Sequence, residues 1–349
     1  MDGTLPPGHR LPPEINLARQ FQVGQVTLRS ALARLEREGL VKRIRSRGTF
    51  VTDKNNGNVF LFIIPDGAED LETPSRYIAA GVDEAARKAA VTIERCPASL
   101  FLSFTAAERR DLAHSRSIRG VIVETGHRRI EPEIARAIRE LKLPAVIPHG
   151  LPSDAANEGF LVLRTDERRA FFESYKYMAA RGHRTIASLF IKTPGEDHEK
   201  PRGFSAAELQ EFLENEQLDS STELIAILPN DQELLQKQLH LWLERPEKPT
   251  AIMCHSDRVA MRVFAILRRM NVRIPEEISL MGYSNFPGSQ LLQPALTTTD
   301  TCLHACAAMA LQELINAGSR SDQGNSSREL LTPFHLIERE SVAFIGAPS

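Results

Sequence analysis

The chain has 349 residues, 43 Lys/Arg against 45 Asp/Glu, and a formal net charge of −2. That length allows two or three domains with ample room for cores, and the composition is ordinary for a soluble globular protein. Apolar runs such as Val59–Ile64 fall far short of the ~18 residues that span a bilayer. No charged start followed by an apolar stretch marks a secretory leader. The four scattered cysteines, Cys96, Cys254, Cys302 and Cys306, form no disulfide framework, so a cytoplasmic protein is expected.

The charge is unevenly spread. Residues 1–51 hold nine Lys/Arg against four Asp/Glu, a net +5, and the remainder holds 34 against 41, a net −7. Within that basic segment a short helix is expected from about Pro13 to Phe21, since a proline in the first turn leaves no useful N–H unpaired. The gap Gln22-Val23-Gly24-Gln25 is short and contains glycine, as a helix-turn-helix requires. From Val26 the apolar positions Leu28, Ala31, Leu32 and Leu35 form one helical stripe, with Arg29, Arg34 and Arg37 opposite and Gly39 as the stop. Lys42-Arg43-Ile44-Arg45 and Thr49-Phe50-Val51 then alternate as a hairpin, with Gly48 near its turn. Two helices, a basic hairpin and a local positive charge predict a DNA-reading winged helix. The competing reading is a solvated, charged helical hairpin.

Asp53-Lys54-Asn55-Asn56-Gly57-Asn58 is polar and without apolar periodicity, a linker. Beyond it, apolar runs at Val59–Ile64, Gly120–Val123, Ala145–Ile147, Ile186–Phe190, Ala251–Cys254 and Ile278–Met281 read as strands buried on both faces. Helical stripes lie between them: Ile78, Val82, Ala85 and Ala89; Ile130, Ile134, Ile138 and Leu141; Leu235, Leu239 and Trp242; Val259, Val263, Leu267 and Met270. This alternation predicts doubly wound parallel α/β layers, whose ligands sit outside the carboxyl ends of the strands. Cys302 and Cys306, with His304 between them, lack the further ligands of a metal site and are expected to be small core side chains.

Residues 3–51 resemble the GntR family of bacterial regulators. The family's opening motif stands here as Pro7-Gly8-His9-Arg10-Leu11-Pro12-Pro13-Glu14-Ile15, and the start of its recognition helix as Val23-Gly24-Gln25-Val26-Thr27-Leu28-Arg29. The resemblance implies that Gln25, Thr27 and Arg29, with Arg45, Arg47 and Gly48 of the wing, face operator DNA. Two arginines usual in the family are replaced by Ile15 and Gln25; Gln still matches an adenine edge, whereas Ile15 donates nothing. The family places a further helix before this motif, and here the motif follows Met1 almost directly. Either the true start lies upstream, or the domain is truncated and Leu17, Phe21, Leu28 and Leu32 lose a covering surface.

Residues from Val59 to about Ser341 resemble the sensor domain of LacI-type regulators, itself similar to periplasmic sugar-binding proteins. The markers are Arg181-Gly182-His183-Arg184-Thr185-Ile186-Ala187, Arg202-Gly203-Phe204, Pro249-Thr250-Ala251-Ile252 leading to Ser256-Asp257, Ile274-Pro275-Glu276-Glu277-Ile278-Ser279, Leu296-Thr297-Thr298 and Arg339-Glu340-Ser341. The resemblance implies two lobes, about 59–164 with 299–325 and about 165–296 with 329–345, joined by crossovers around a ligand cleft and dimerising through this domain. Arg202 matches an arginine that clamps ligand hydroxyls, a task suited to a guanidinium fork. Asp257 matches an acceptor for ligand hydroxyls, with a helix N-terminal role as the alternative. Two family carboxylate positions stand as Ser284, in Gly282-Tyr283-Ser284-Asn285, and His149. A GntR-type reader with a LacI-type sensor is the arrangement of the arabinose-repressor kind of regulator.

Motifs for dinucleotide binding, P-loop chemistry, serine hydrolysis or zinc proteolysis are absent from the sequence, so no catalytic residue, metal or cofactor is expected. The expectation is an effector-responsive DNA-binding regulator, a repressor, acting as a homodimer on operator DNA with a carbohydrate-like effector and no membrane. The alternative is a ligand sensor with weakened DNA binding.

Overall fold

A computed structural model describes residues 5, 8–37, 40–44, 47–51, 58–66, 74–126, 128–158, 160–192, 203–317 and 328–345. The expected helix stop at Gly39, and the linker apart from Asn58, lie outside these residues.

The basic segment forms α1 (Glu14–Gln20), α2 (Gln25–Arg37), β1 (Val41–Ile44) and β2 (Gly48–Val51). Pro13 is the N-cap of α1. The two strands pair antiparallel from Val41↔Val51 to Ile44↔Gly48. Residues 8–11 add a further edge: the amides of Gly8 and Leu11 donate to the carbonyls of Val51 (2.9 Å) and Thr49 (2.8 Å). Leu17, Ala18, Leu28 and Leu32 make a small core, flanked by Leu11 and Leu35. Ala31, expected in that stripe, is exposed. Leu17, Leu28 and Leu32 cover one another, while Phe21 is 62% exposed. Phe21 is the C-cap of α1 and lies past the last turn that packs on α2.

The long segment folds as two doubly wound lobes. The first contains β3 (Val59–Ile64), α3 (Pro74–Ala89), β4 (Thr92–Pro97), α4 (Ala98–Ser103), α5 (Ala106–Ser115), β5 (Ile118–Val123), α6 (Pro132–Leu141), β6 (Ala145–Pro148), α7 (Pro152–Glu158) and β7 (Leu161–Thr165). The second contains α8 (Glu167–Ala180), β8 (Ile186–Ile191), α9 (Ala206–Asn215), β9 (Ile225–Leu228), α10 (Gln232–Leu243), β10 (Ala251–Cys254), α11 (Asp257–Arg269), β11 (Ser279–Tyr283) and β12 (Thr297–Asp300). The chain returns through α12 (Leu303–Ala317) and β13 (Arg328–Thr332), then ends with β14 (His335–Ile337). The sheet orders are β13-β7-β6-β5-β3-β4 and β14-β12-β11-β10-β8-β9. All pairings are parallel except β12 with β14.

The continuous apolar runs are explained by burial on both faces. In β3, Leu61 and Ile63 join one core while Phe60 and Phe62 join the core against α3 and α12. In the second lobe, Ala187 and Leu189 of β8 face one core and Ile186 and Phe190 the other. β4, β7, β9, β12, β13 and β14 were not among the expected strands; of these, β4 and β12, Thr-Ile-Glu-Arg-Cys-Pro and Thr-Thr-Thr-Asp, are polar. β4 is a half-buried sheet edge, and the threonines of β12 are buried with hydroxyls that bond to neighbours.

The lobe boundaries differ from the expected ones at two points. Residues 329–332 belong to the first lobe, because β13 pairs with β7 from Arg328↔Leu161 to Thr332↔Thr165. Residues 299–300 belong to the second, because β12 pairs with β11 through Tyr283↔Thr299 and with β14 through Asp300↔His335. The chain therefore crosses between lobes after β7, after β12 and after β13. Buried Thr165, Thr301 and Thr332 meet at these crossings: the Thr165 hydroxyl donates to the Thr301 carbonyl (3.3 Å) and lies 3.4 Å from the Thr332 hydroxyl.

Cys306 is buried in the core between α3 and α12, and Cys302 is half-buried. His304 turns to Glu84 of α3, 3.1 Å away. The same helix pair explains Gly81, where a Cβ would stand 2.3 Å from the His304 carbonyl oxygen and 2.9 Å from the Ala307 Cβ. Alanine gains about 1 kcal/mol in helix propensity, but overpacking against backbone costs about 1–3 kcal/mol. Gly81→Ala is therefore expected to lower stability by up to about 2 kcal/mol in urea unfolding; a raised midpoint would show that α3 and α12 separate freely.

Candidate functional site

Two surfaces carry the expected site residues. On the winged helix, Gln25, Thr27 and Arg29 are exposed at the start of α2, and Val26 between them is 78% exposed. Arg47 is exposed at the hairpin turn, while Arg45 lies outside the described residues. Gly48 has φ +117, and a Cβ there would stand 2.9 Å from Arg10 Nε, so only glycine suits this turn. Arg29 Nε donates to Glu14 Oε2 at 2.9 Å. Arg43 lies 3.7 Å from both Glu14 and Glu36, tying the wing to the helices. Arg29 is therefore paired, a contact sequence spacing did not reveal. It is 63% exposed, and an exposed pair is worth about 0–1 kcal/mol, little against a DNA phosphate.

The second surface lies where the carboxyl ends of the two parallel sheets face each other. Tyr77, near the start of α3 in the first lobe, stacks on Phe286 of the second, with ring centroids 5.4 Å apart and planes 6° apart. On the first-lobe side, Glu124 follows β5 and is buried; its Oε2 accepts the Ser75 hydroxyl at 2.5 Å and its Oε1 the Gly126 amide at 2.6 Å. Burial pushes the Glu124 carboxyl above the usual range, opposed by these two donors. His149, at the end of β6, is 5% exposed with φ +54, so it is a buried turn residue rather than an open loop histidine.

On the second-lobe side, Ser284 and Asn285 have φ +100 and +54, forming a sharp turn after β11. The turn is braced from below. Asn285 donates to Asp300 Oδ2 at 3.0 Å and accepts from Arg339 at 2.7 Å. Arg339 also donates to the Leu296 carbonyl at 2.6 Å and to Ser289 at 3.1 Å. Asp257 differs from its expected part. It is 0% exposed; its Oδ2 accepts the Phe286 amide at 2.7 Å and its Oδ1 the Thr298 hydroxyl at 2.6 Å. Both oxygens are occupied by the protein, so Asp257 acts as a strut that positions Phe286. It is not the cap of α11 either, since the Ser256 hydroxyl accepts the Val259 amide.

Arg202 lies outside the described residues. Among those described, Ser284 and His149 stand at strand ends on opposite lobes, with Ser75, Tyr77, Glu124 and Phe286, which the sequence reading missed. Glu124 carried a usable cue, a carboxylate directly after an apolar strand, the same cue that drew attention to Asp257. Nothing in the sequence marked Tyr77 and Phe286 as partners, since their contact spans 209 positions and two lobes.

A basic helix-turn-helix with a wing, followed by two hinged lobes with apposed strand ends, defines a ligand-responsive transcription regulator. The comparisons agree. Residues 1–51 match the bacterial regulatory proteins of the gntR family, and residues 175–342 match the periplasmic binding protein-like domain. The chain thus combines a gntR-family DNA-binding domain with a periplasmic-binding-protein-like sensor. It is 24% identical over 363 aligned residues to the arabinose metabolism transcriptional repressor of Geobacillus stearothermophilus, covering 99% of this chain and 90% of the relative. A LacI-family regulator structure from Rhizobium etli superposes with a TM-score of 0.66 at 20% identity, over 84% of this chain and 100% of that one. A LacI-family regulator from Enterococcus faecium with bound ribose gives 0.61 at 17% identity, over 83% and 100%. The matched families are regulatory and ligand-binding rather than catalytic.

Burial raises the Asp257 carboxyl from 3.8 to about 7 despite its two donors. A folded-state value above the unfolded one means the folded chain binds the extra proton between these limits. Stability contributed there is full below 3.8 and lost as pH rises toward about 7. Glu124 adds a slope of the same sign. Asp257→Asn should flatten the fall of Tm with pH across this window, and should cost about 1–3 kcal/mol at pH 8 by setting an amide against the Phe286 N–H. An unaltered pH profile would show that Asp257 titrates normally.

Proposed function

We propose that this chain is a cytoplasmic, homodimeric transcription repressor whose operator affinity is set by a carbohydrate-like effector bound between the lobes. One observation carries the reading: a single chain joins an exposed recognition-helix start, Gln25, Thr27 and Arg29, to two lobes that meet through Tyr77 and Phe286. The Geobacillus stearothermophilus relative, an arabinose metabolism repressor, and the ribose-bound structural neighbour support the effector class. Among the described residues no helix is long and apolar enough to cross a membrane.

A dimer would set two recognition helices in successive major grooves of a pseudo-palindrome. Effector binding shifts the lobes only through a difference in affinity for the open and closed arrangements, and that difference is the coupling energy between cleft and DNA. Exposure of Ile15 (50%) and Phe21 (62%) favours a second reading, a sensor whose DNA reader is weakened.

Fluorescence anisotropy with operator DNA separates the two. Arg29→Ala is expected to weaken binding and lower the salt slope by about 1, the loss of one phosphate contact. Glu14→Gln, which releases Arg29, should strengthen binding at low salt. Isotherms that coincide with wild type across salt would reject the contact. For the sensor, a thermal-shift screen of sugars and sugar acids should find a ligand that raises Tm. Arg202→Ala should abolish that shift and leave DNA binding intact; a wild-type titration in this variant would reject the cleft assignment.

A further inference from the structure

Outside the cleft, a cavity of about 690 Å³ opens beside the third crossover, between one face of α8 and residues 331–336. Its walls are of two kinds. Leu331, Phe334 and Leu336 form an apolar side, and Leu331 is 57% exposed although it sits in a strand. On the opposite side, Arg169 and Lys176 of α8 line the cavity together with Asp166 and Glu173, a wall of mixed charge. The Arg169 guanidinium lies 5.8 Å from the Phe334 ring centroid. No carboxylate among the described residues lies within ion-pair distance of it. The nearby Asp166 already spends an oxygen on the Arg169 backbone amide, at 3.1 Å, as the cap of α8. Lys176 reaches Glu173 and Glu216 only at 3.7 and 3.6 Å, both in exposed geometry.

We propose that this cavity is a second small-molecule site, distinct from the interlobe cleft, for an organic carboxylate carried on an apolar or aromatic body. The volume is that of a small-molecule pocket. A planar fork of donors beside an aromatic face suits a planar carboxylate whose body lies on Phe334 and Leu331. A bare inorganic anion would leave that apolar wall uncovered.

The position gives the site a consequence. Leu331 and Thr332 belong to the first-lobe sheet, α8 belongs to the second lobe, and Phe334 lies on the crossover between them. Thr332 also contributes its hydroxyl to the cluster with Thr165 and the Thr301 carbonyl that joins the crossings. An occupant touches both lobes and the hinge at once. It binds one lobe angle more tightly than another, and by linkage it changes effector affinity in the cleft.

The test uses the full chain, with phenylacetate as probe and phenylacetamide as its neutral counterpart, by isothermal titration calorimetry. Saturable binding of phenylacetate is expected, with the amide weaker by about tenfold, the worth of one charge-assisted hydrogen bond. Arg169→Gln should weaken phenylacetate by a similar factor without weakening the amide further. Phe334→Leu, which keeps the wall apolar, should weaken both. Arg169 is exposed and Phe334 half-buried against the second-lobe core, so far-ultraviolet circular dichroism and Tm check the fold of each variant. Absence of saturable heat, equal binding of acid and amide, or an unchanged Kd in Arg169→Gln overturns the proposal. The last result would send any phenylacetate bound to another part of the molecule.

Discussion

Three backbone crossings between two parallel sheets govern the rest of this molecule. Each lobe buries its strands on both faces, so neither sheet deforms readily, and relative motion is confined to the crossings after β7, β12 and β13. The crossings are bound together through Thr165, Thr301 and Thr332, buried hydroxyl residues whose contacts at 3.3 and 3.4 Å are long. Long hydrogen bonds are weak ones, and weak bonds at a hinge exchange partners at low cost.

The cleft mouth follows the same division. The second-lobe turn that presents Ser284 and Phe286 is over-determined by Asp257, Asn285, Asp300 and Arg339, so Phe286 is held still. Its partner Tyr77 rides on the other lobe. A stacked aromatic pair contributes about 0.5–1.5 kcal/mol beyond its area burial. That is large enough to favour one lobe angle and small enough for a ligand to override it. Desolvation raises both buried carboxyls nearby, Asp257 to about 7 and Glu124 above its usual range.

The DNA reader is built with less margin. Its core consists of Leu17, Ala18, Leu28 and Leu32, against the extensive cores of the lobes. Glu14 and Glu36 tie Arg29 and Arg43 into the helix–wing junction, so side chains able to meet phosphate also hold the domain together.

Periodicity marked the layered α/β class, while the division into two lobes came from the family resemblance. Strands buried on both faces must be apolar throughout, and helices on a sheet must carry a stripe, so Val59–Ile64, Ile186–Phe190 or the stripe Val259, Val263, Leu267 left a clear mark in the chain. The basic start and the turn glycines likewise marked the reader and its wing. Elements that bury hydroxyls, such as β12, or lie at a sheet edge, such as β4, left no such mark. The boundary near residue 329 was misplaced because membership of a sheet is decided by pairing with β7, 167 positions earlier for Thr332. Asp257 shows the same limit. Its identity and its place after a strand suggested a group open to ligand, yet packing against Phe286 and Thr298 occupied both oxygens. Local pattern determined which elements form and where charge lies. Tertiary structure alone decided which side chains face each other, because contacts such as Tyr77 with Phe286 depend on how the two lobes meet rather than on any spacing along the chain.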